Sequence, residues 1–149
     1  MDYNSLKPSK KAFVIVPRGV LERSKDKPLR NFISEECIVN GIIYLPSKTF
    51  YSTLKKTYIL AITKKENNTH EERKSKIQTD PIFSYIVKDI GETLDDNRLS
   101  KEENDLPNMV SLFNQFKGAK TTFDPDDDKC KIIPISLLTT NNYWSVENF

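Results

Sequence analysis

Residues 42–65 read IIYLPSKTFYSTLKKTYILAITKK, two apolar runs joined by a polar connection that holds Phe50 and Tyr51. The runs predict two antiparallel strands, and residues 46–56 between them are longer than a tight hairpin turn needs. Gly or Asn would serve a simple turn better than two neighbouring aromatic rings. Three lysines share the connection: Lys48, Lys55 and Lys56. This composition indicates that the loop does more than join two strands.

Upstream of this pair, the sequence predicts a strand and a helix. Residues 12–16, AFVIV, form an apolar β-branched run that predicts a strand buried on both faces, as in a mostly parallel sheet. Residues 28–37, PLRNFISEEC, predict a helix with Pro28 in its first turn. Its inward face is expected to hold Leu29, Phe32, Ile33 and Cys37. Together with the strand VNGIIYLP at residues 39–46, these elements predict a βαβ unit.

Downstream, polar and apolar segments alternate. Residues 65–80 have almost no large apolar side chains and predict an exposed loop or linker. Residues 82–87 predict a strand or a buried hairpin arm. Asp105 predicts the N-cap of a helix that has Pro107 in its first turn and ends near Gly118. Apolar side chains mark the side of this helix that faces the core: Met109, Val110, Leu112, Phe113 and Phe116.

Composition narrows the kinds of protein that this chain can be. It has 149 residues, enough for one ordinary domain, and a net charge of +2, so nucleic-acid binding would depend on a local basic patch. Cys37 and Cys130 match neither a disulfide framework nor the ligand spacing of a zinc site. The N-terminus has no apolar signal region, and no apolar run approaches ~20 residues. The chain is therefore expected to be cytoplasmic and to have no membrane partner.

Three further features carry no catalytic or metal prediction. His70 lies in the polar linker, where a catalytic or metal role is not expected. Residues 124–129, DPDDDK, lack the glycine and the bidentate glutamate of a calcium loop and predict a solvated acidic turn. Tyr143 and Trp144 are expected to pack the C-terminal tail onto the core. Because no Gly-rich turn follows a predicted strand, the sequence shows no nucleotide-binding fingerprint.

Four sequence blocks between residues 12 and 65 follow one another in a recognisable order. They are AFVIVPRGVL, a helix that begins near LR, VNGIIYLPSKTF and TYILAITKK. In order and spacing they resemble the adenine-specific DNA methyltransferases of restriction–modification systems, above all type I modification subunits and fused type II enzymes. A weaker likeness continues through IFSYIVKDIGETLDDN and NDLPNMVSLFNQFK. The tail is similar to the family's closing signature, with Phe149 at its aromatic end.

The resemblance implies a fold class and a division of the chain. The fold would be α/β: the C-terminal strands of a Rossmann-like methyltransferase sheet, with an antiparallel hairpin at its edge and a helical or irregular C-terminal extension. Residues 1–64 would form the C-terminal part of the catalytic core, and residues 65–80 an exposed linker. Residues 81–149 would extend toward a target-recognition domain that this sequence lacks.

The motifs that carry the family's chemistry do not occur in this sequence. The family binds S-adenosylmethionine through a Gly-rich turn and an acidic residue, and it orients the target amino group with an [ND]PP[YF] motif. Both lie N-terminal to the blocks quoted above. The chain alone is therefore expected to hold no cofactor and no catalytic residue. Completion by a missing N-terminal half, whether a separate subunit or a lost segment, would provide the S-adenosylmethionine site of a site-specific adenine methyltransferase.

The resemblance also assigns contacts to the target base and to DNA. Phe50 matches the aromatic residue that packs against the flipped base, and its neighbour Tyr51 is also expected to stack on the target base. Pro17 and Gly19 are expected at the rim of the base pocket. Phosphate contacts are expected from Arg18, Lys48, Lys55 and Lys56. STLKKT replaces the family's TGIPT after the aromatic residue, and an alternative interpretation has Phe50 filling the core while the lysines form a solvated face.

Two functions remain open at this point. The first is part of an adenine-specific DNA methyltransferase of a restriction–modification system, which contributes the target-base side of the pocket and DNA contacts and is inactive alone. The alternative is a non-catalytic interaction module or truncated remnant that binds a specificity subunit. The expected partners are DNA, a complementing methylase half, and a specificity or restriction subunit.

Overall fold

The computed structural model describes residues 10–51, 53–141 and 143–149. Within these ranges the strands are β1 (Lys11–Pro17), β2 (Cys37–Leu45), β3 (Thr57–Lys64), β4 (Ile82–Ile86), β5 (Ile90–Glu92), β6 (Ser100–Asn104) and β7 (Cys130–Ile133). The helices are α1 (Arg18–Glu22), α2 (Lys27–Glu36), α3 (His70–Ser75), α4 (Leu106–Gly118) and α5 (Ile135–Thr140), with 3-10 turns at Ser24–Asp26 and Val146–Asn148.

The main sheet has the strand order β1-β3-β2-β4-β7, and β5 pairs with β6 in a separate ribbon. Pairing is parallel only between β2 and β4; the other neighbouring strands of this sheet are antiparallel. The α/β class is confirmed, and the prediction of a mostly parallel sheet is wrong. β1 shows why, since Ala12 is buried while Phe13 and Ile15 are 61% and 54% exposed. One face of β1 is therefore open, and the prediction that it is buried on both faces is also wrong.

The hairpin formed by β2 and β3 lies inside the sheet and not at its edge, which corrects the predicted position. β1 adds to the outer side of β3, and β4 adds to the outer side of β2. Because β3 is antiparallel to both neighbours, β1 and β2 point the same way, as the βαβ prediction requires. The carboxyl ends of β1 and β2 consequently lie at the same end of the sheet.

Helix α2 begins beside Pro28 as predicted, but its inward face differs from the prediction. Leu29 and Phe32 are 45% and 37% exposed, whereas Arg30 is buried. The Arg30 guanidinium donates hydrogen bonds to the carbonyls of Val20 and Arg23, each at 2.9 Å, and so connects α2 to the end of α1. Hydrophobic periodicity does not predict the burial of an arginine whose guanidinium is hydrogen-bonded to backbone carbonyls.

The polar segment 65–80 is exposed along much of its length, yet it packs onto α2 and β2. The Glu36 carboxylate is buried and accepts hydrogen bonds from Arg73 Nε at 2.5 Å and from the His70 ring. Gln78 is also buried: its side-chain amide accepts from the Val39 N–H and donates to the Val39 carbonyl, each at 2.9 Å. Val39 lies two residues before Gly41, where the pairing of β2 with β4 begins. The predicted division of the chain at residue 64 stays a prediction.

Helix α4 covers the sheet face opposite α2, and its start and end are as predicted. Met109, Phe113 and Phe116 are buried, while Val110 is 50% exposed. The Phe116 ring lies 5.7 Å from the Phe83 ring of β4, between centroids. These rings form one of two apolar clusters, and the other cluster lies under α2 and the C-terminal tail, where Trp144 is buried.

The two cysteines lie on separate strands of the main sheet, β2 and β7. Cys37 and Cys130 are free and buried, and desolvation raises the pKa of the Cys37 thiol to about 11 and that of Cys130 to about 12. Among the described residues, no group of three or more histidine, cysteine, aspartate or glutamate side chains is placed to hold a metal ion. No helix in the described ranges is both long enough and apolar enough to span a membrane.

Candidate functional site

The predicted site residues lie at one end of the sheet, where β1 and β2 end and β3 begins. Residues 46–56, here called the aromatic loop, connect β2 to β3 across this end. β1 leads directly into α1 at Arg18, whose backbone N–H donates to the Lys56 carbonyl at 3.2 Å. This hydrogen bond joins the turn after β1 to the far end of the aromatic loop. In open α/β sheets, ligands bind outside the carboxyl ends of the parallel strands.

One side of the aromatic loop borders a cavity of about 420 Å³. The side chains that line it come from the β1–α1 turn and from the loop: Pro17, Arg18, Gly19, Glu22, Arg23, Ser47, Lys55 and Lys56. Two of the predicted phosphate-binding lysines thus lie beside the predicted rim residues of the base pocket. The cavity has four cationic side chains and one carboxylate in its lining, so an anionic ligand is favoured there.

The single carboxylate in this lining belongs to Glu22 and forms an ion pair with Arg18. Arg18 Nε donates to Glu22 Oε2 at 2.6 Å, and this hydrogen bond raises the pKa of Arg18. The other oxygen, Glu22 Oε1, is buried and has no hydrogen-bond partner among the described residues. Lys56 Nζ lies 5.5 Å from the centroid of the Tyr44 ring, a cation–π distance that holds the ammonium at the cavity.

The other side of the aromatic loop borders a smaller cavity of about 190 Å³. Its lining combines loop residues with the chain between β5 and β6: Lys48, Phe50, Tyr51, Leu54, Leu94, Asp95, Asp96 and Arg98. Phe50 is half-buried against the apolar cluster under α4, whereas Tyr51 is 80% exposed. The two aromatic residues therefore have opposite surroundings. The structure places all the predicted site residues around one loop but divides them between two cavities.

Arg98 is a residue of this site that sequence reasoning missed. It lies in the connection between β5 and β6, and its guanidinium donates to the carbonyls of Lys48 and of Thr49, the latter at 3.4 Å. Its Cζ also lies 4.5 Å from the centroid of the Tyr51 ring. The run DDNR at residues 95–98 is turn-forming and marks a chain reversal, but no local signal shows which loop the arginine reaches.

Asp105 fixes the other end of the β5–β6 ribbon. Its carboxylate accepts hydrogen bonds from the backbone N–H groups of Lys88 and Asp89 at 2.8 and 3.0 Å, and from Lys129 Nζ at 2.6 Å. The N-cap prediction is right in position, although the side chain makes no capping hydrogen bond to α4. Burial opposes ionisation of this carboxyl, but the hydrogen bonds from Lys129 and the two amides outweigh it and lower its pKa.

The Asp105→Asn substitution is expected to lower the free energy of unfolding by about 2 kcal/mol at pH 7. Because the folded-state pKa is depressed, the carboxylate stabilises the fold above the unfolded-state pKa, and this contribution is lost as pH falls through the folded-state value. The difference between wild type and variant should therefore shrink below about pH 4. Urea unfolding at pH 7 and at pH 3 measures it, with the exposed Asp126→Asn as control. An unchanged difference at pH 3 would contradict this assignment.

Comparison with protein-family models identifies the family of this chain. The family model described as N-6 DNA methylase matches residues 3–146. The chain belongs to the N-6 DNA methylase family. The resemblance seen in the sequence blocks is thereby confirmed. Among the relatives of this N-6 DNA methylase chain is the type I restriction enzyme MjaVIII methylase subunit of Methanocaldococcus jannaschii. The two are 28% identical over 135 residues, which cover 90% of this chain and 21% of the relative.

Solved structures support the same fold. A chain from a type I restriction–modification system, studied for complex assembly and conformational transition, matches with a TM-score of 0.65 and 15% identity over 92% of this chain. The M protein of the type I restriction enzyme EcoKI matches with a TM-score of 0.51 and 26% identity over 71% of this chain. The match covers 27% of the first of these chains and 22% of the second, so this chain spans about a quarter of the length of each.

Proposed function

We propose that this chain supplies the target-base side of an adenine-specific DNA methyltransferase of a restriction–modification system. The observation that carries the proposal is the family match over residues 3–146, combined with the position of the predicted base and phosphate contacts at the carboxyl ends of β1 and β2. That end of a sheet is the usual ligand side of open α/β folds. The match covers only 21% of the MjaVIII methylase subunit, so the complete activity would need more polypeptide than these residues.

The described residues do not fit an S-adenosylmethionine site. Such a site needs a Gly-rich turn after a strand, and the four glycines of the chain are spread over separate elements. Gly19 lies in α1, Gly41 within β2, Gly91 in β5 and Gly118 at the end of α4. We therefore assign the methyl donor to a polypeptide segment outside these 149 residues, and no step of the transfer to this chain.

The role of this chain would be to hold an unpaired base and the phosphates beside it. An enzyme that modifies adenine in a duplex rotates the base out of the stack and binds it by stacking and edge contacts. Stacking on an aromatic ring contributes roughly 1–3 kcal/mol per base. Phe50 is fixed by its core contacts, so its ring needs little ordering when a base binds. Arg18, Lys55 and Lys56 at the larger cavity would neutralise nearby phosphates, an interaction that weakens with salt.

The open edge of β1 offers a place for the complementing segment. Within the described ranges no strand pairs with the outer side of β1, although its backbone groups are arranged for pairing. Phe13 and Ile15 are more than half exposed on the same strand. A strand added at this edge, with apolar side chains over Phe13 and Ile15, would extend the sheet and remove both side chains from water.

The test is transfer of a labelled methyl group from S-adenosylmethionine to DNA. We expect no transfer by this chain alone and measurable transfer after addition of a polypeptide that bears the Gly-rich and [ND]PP[YF] motifs. Phe50→Ala should then reduce the rate about 10- to 100-fold, corresponding to the stacking energy. Phe32→Ala removes an aromatic ring on α2, away from the aromatic loop, and serves as the matched control. Ile15→Lys should weaken the association and leave the unfolding curve of the chain nearly unchanged.

Two results would contradict the proposal. Tight binding of S-adenosylmethionine to the isolated chain, measured by calorimetry, would place a donor site within these residues. Restored transfer that is unaffected by Phe50→Ala would remove the aromatic loop from the reaction. In the second case, capture of a specificity subunit by the chain would support the alternative of a non-catalytic interaction module.

A further inference from the structure

A third cavity, of about 310 Å³, lies between α2, the polar segment 65–80, α5 and the tail that follows α5. It shares no lining residue with the two cavities at the aromatic loop. Ligand pockets in proteins are concave and combine an apolar lining with a few polar groups, and this volume lies at the lower end of their range. The cavity can therefore hold a small organic molecule, and the proposed function does not use it.

Part of the lining is apolar and firmly held. Leu138 of α5 and Trp144 of the tail are 4% and 5% exposed. The Trp144 backbone N–H donates to the Leu21 carbonyl at 2.7 Å, which attaches the tail to α1. Ile77 borders the cavity from the polar segment and is 79% exposed. A ligand with an apolar body would cover Ile77 and remove its side chain from water.

Two cationic side chains of the lining are almost completely buried, since Arg30 is 2% and Lys65 is 6% exposed. Arg30 is held by backbone carbonyls at the end of α1, as described above. Lys65 Nζ donates to the Arg73 carbonyl at 2.9 Å, which is one of the three hydrogen bonds that an ammonium can donate. Removal from water lowers the pKa of Lys65, so a bound anion would replace solvation that its charged form has lost.

Positive charge exceeds negative charge in this lining. Lys27 and Lys74 are exposed and add two cations to the buried pair. Among the lining residues that the structure describes, Glu35 has the single carboxylate, and its Oε2 lies 3.4 Å from His70 Nε2 of α3. A concave site lined by charges of one sign concentrates ligands of the opposite sign. The charge balance therefore favours an anion over a neutral molecule.

We propose that this cavity binds a small aromatic acid, whose carboxylate or phosphate group pairs with Lys65 and whose ring lies against Leu138 and Trp144. Lys74 supplies a further cation at the exposed side. Carboxylates and phosphates share the anionic oxygens that an ammonium binds, and the test below separates the two groups. The site lies away from the aromatic loop, so the inference goes beyond the proposed function and does not depend on it.

The test measures the binding of four probes to the full chain by calorimetry: benzoate, phenyl phosphate, benzamide and inorganic phosphate. We expect benzoate or phenyl phosphate to bind at millimolar concentration, and the tighter of the two identifies the acid group. Benzamide has the ring without the charge, and inorganic phosphate has the charge without the ring. Each should bind about tenfold more weakly or worse. Absence of binding by both aromatic anions, or equal binding by benzamide, would overturn the proposal.

Substitutions in the lining locate the site. Lys65→Met removes the ammonium and keeps a long side chain, and it should weaken binding of the tighter probe about tenfold or more. Glu35→Gln removes the opposing carboxylate and should strengthen binding about two- to fivefold, a gain that unfolding cannot produce. Lys76→Met, at an exposed lysine outside the lining, is the matched control. Thermal unfolding without ligand confirms that each variant is folded.

A third variant tests the cavity without changing its charge. Ser34 is exposed on α2 and lines the cavity, so the ring introduced by Ser34→Trp would occupy the space of the ligand and should abolish binding. Unchanged binding in both Lys65→Met and Ser34→Trp would overturn the assignment to this cavity. Phe50→Ala should leave probe binding unchanged, because Phe50 lines a different cavity. Failure of this proposal and failure of the proposed function are thus measured separately.

Discussion

Replacing Phe116 with alanine is expected to lower the free energy of unfolding by about 4 kcal/mol, a large share of the stability of an ordinary domain. The residue is fully buried, and its ring centroid lies 5.7, 6.4 and 6.0 Å from those of Phe83, Phe113 and Phe123. Truncation removes apolar contacts and leaves a cavity that rigid neighbouring rings fill poorly. Urea unfolding measures the loss as a lower midpoint.

The matched control for this substitution lies on the same helix. Val110 is 50% exposed, so Val110→Ala should change the free energy of unfolding by only about 0.5 kcal/mol. Phe116→Leu keeps most of the apolar volume and should fall between the two. A loss below about 1 kcal/mol for Phe116→Ala would show that α4 is not packed on the sheet as described, and it would remove the support on which Phe50 rests.

Replacing Arg73 with methionine is expected to lower the free energy of unfolding by about 3 kcal/mol, because it leaves the buried Glu36 carboxylate short of a partner. Arg73 Nε lies 2.5 Å from Glu36 Oε2, and the Glu36 side chain is only 2% exposed. His70 contributes a second contact to the same carboxylate. The pair connects α3 to the end of α2, so amides of segment 65–80 should also exchange faster in this variant.

Two further variants distinguish the effect of breaking the buried ion pair from the effect of removing a positive charge. Lys74→Met removes a cation from an exposed neighbouring position of α3 and should have little effect. The double variant Glu36→Gln with Arg73→Met no longer buries a carboxylate that has lost its arginine and should be more stable than Arg73→Met alone. If the double variant were the less stable of the two, the Glu36 charge would not be the cause of the loss.

The local sequence predicted most of the strands and helices, because the residues that indicate where each begins and ends lie within or next to it. β2 and β3 were predicted by apolar runs, the end of β2 by Pro46, and α4 by Asp105, Pro107 and Gly118. Each signal acts through backbone geometry within a few residues, so it needs no knowledge of the fold. The placement of β3 beside β2 followed from the absence of a helix between them.

The errors concern groups whose partners lie outside their own helix or strand. β1 was predicted to be buried on both faces, yet Phe13 and Ile15 lie on a side that no described element fully covers. Arg30 and Glu36 are polar and were not predicted to be buried. Both are buried, because Arg30 is hydrogen-bonded to backbone carbonyls and Glu36 is paired with Arg73. Apolar periodicity registers only the hydrophobic contribution to burial, and polar burial depends on partners that folding brings together.

For the site, the sequence by itself determined the aromatic loop and the family. The apolar runs, the two rings and the three lysines are contiguous, and the family match follows from residue order alone. Only the tertiary structure decided that Phe50 packs inward, that Tyr51 faces solvent, and that Arg98 holds the loop from about fifty residues away in the chain. The physical reason is that a side chain's exposure and partners are set by which segments the sheet and the β5–β6 ribbon bring into contact, and those distances in space have no counterpart in sequence spacing.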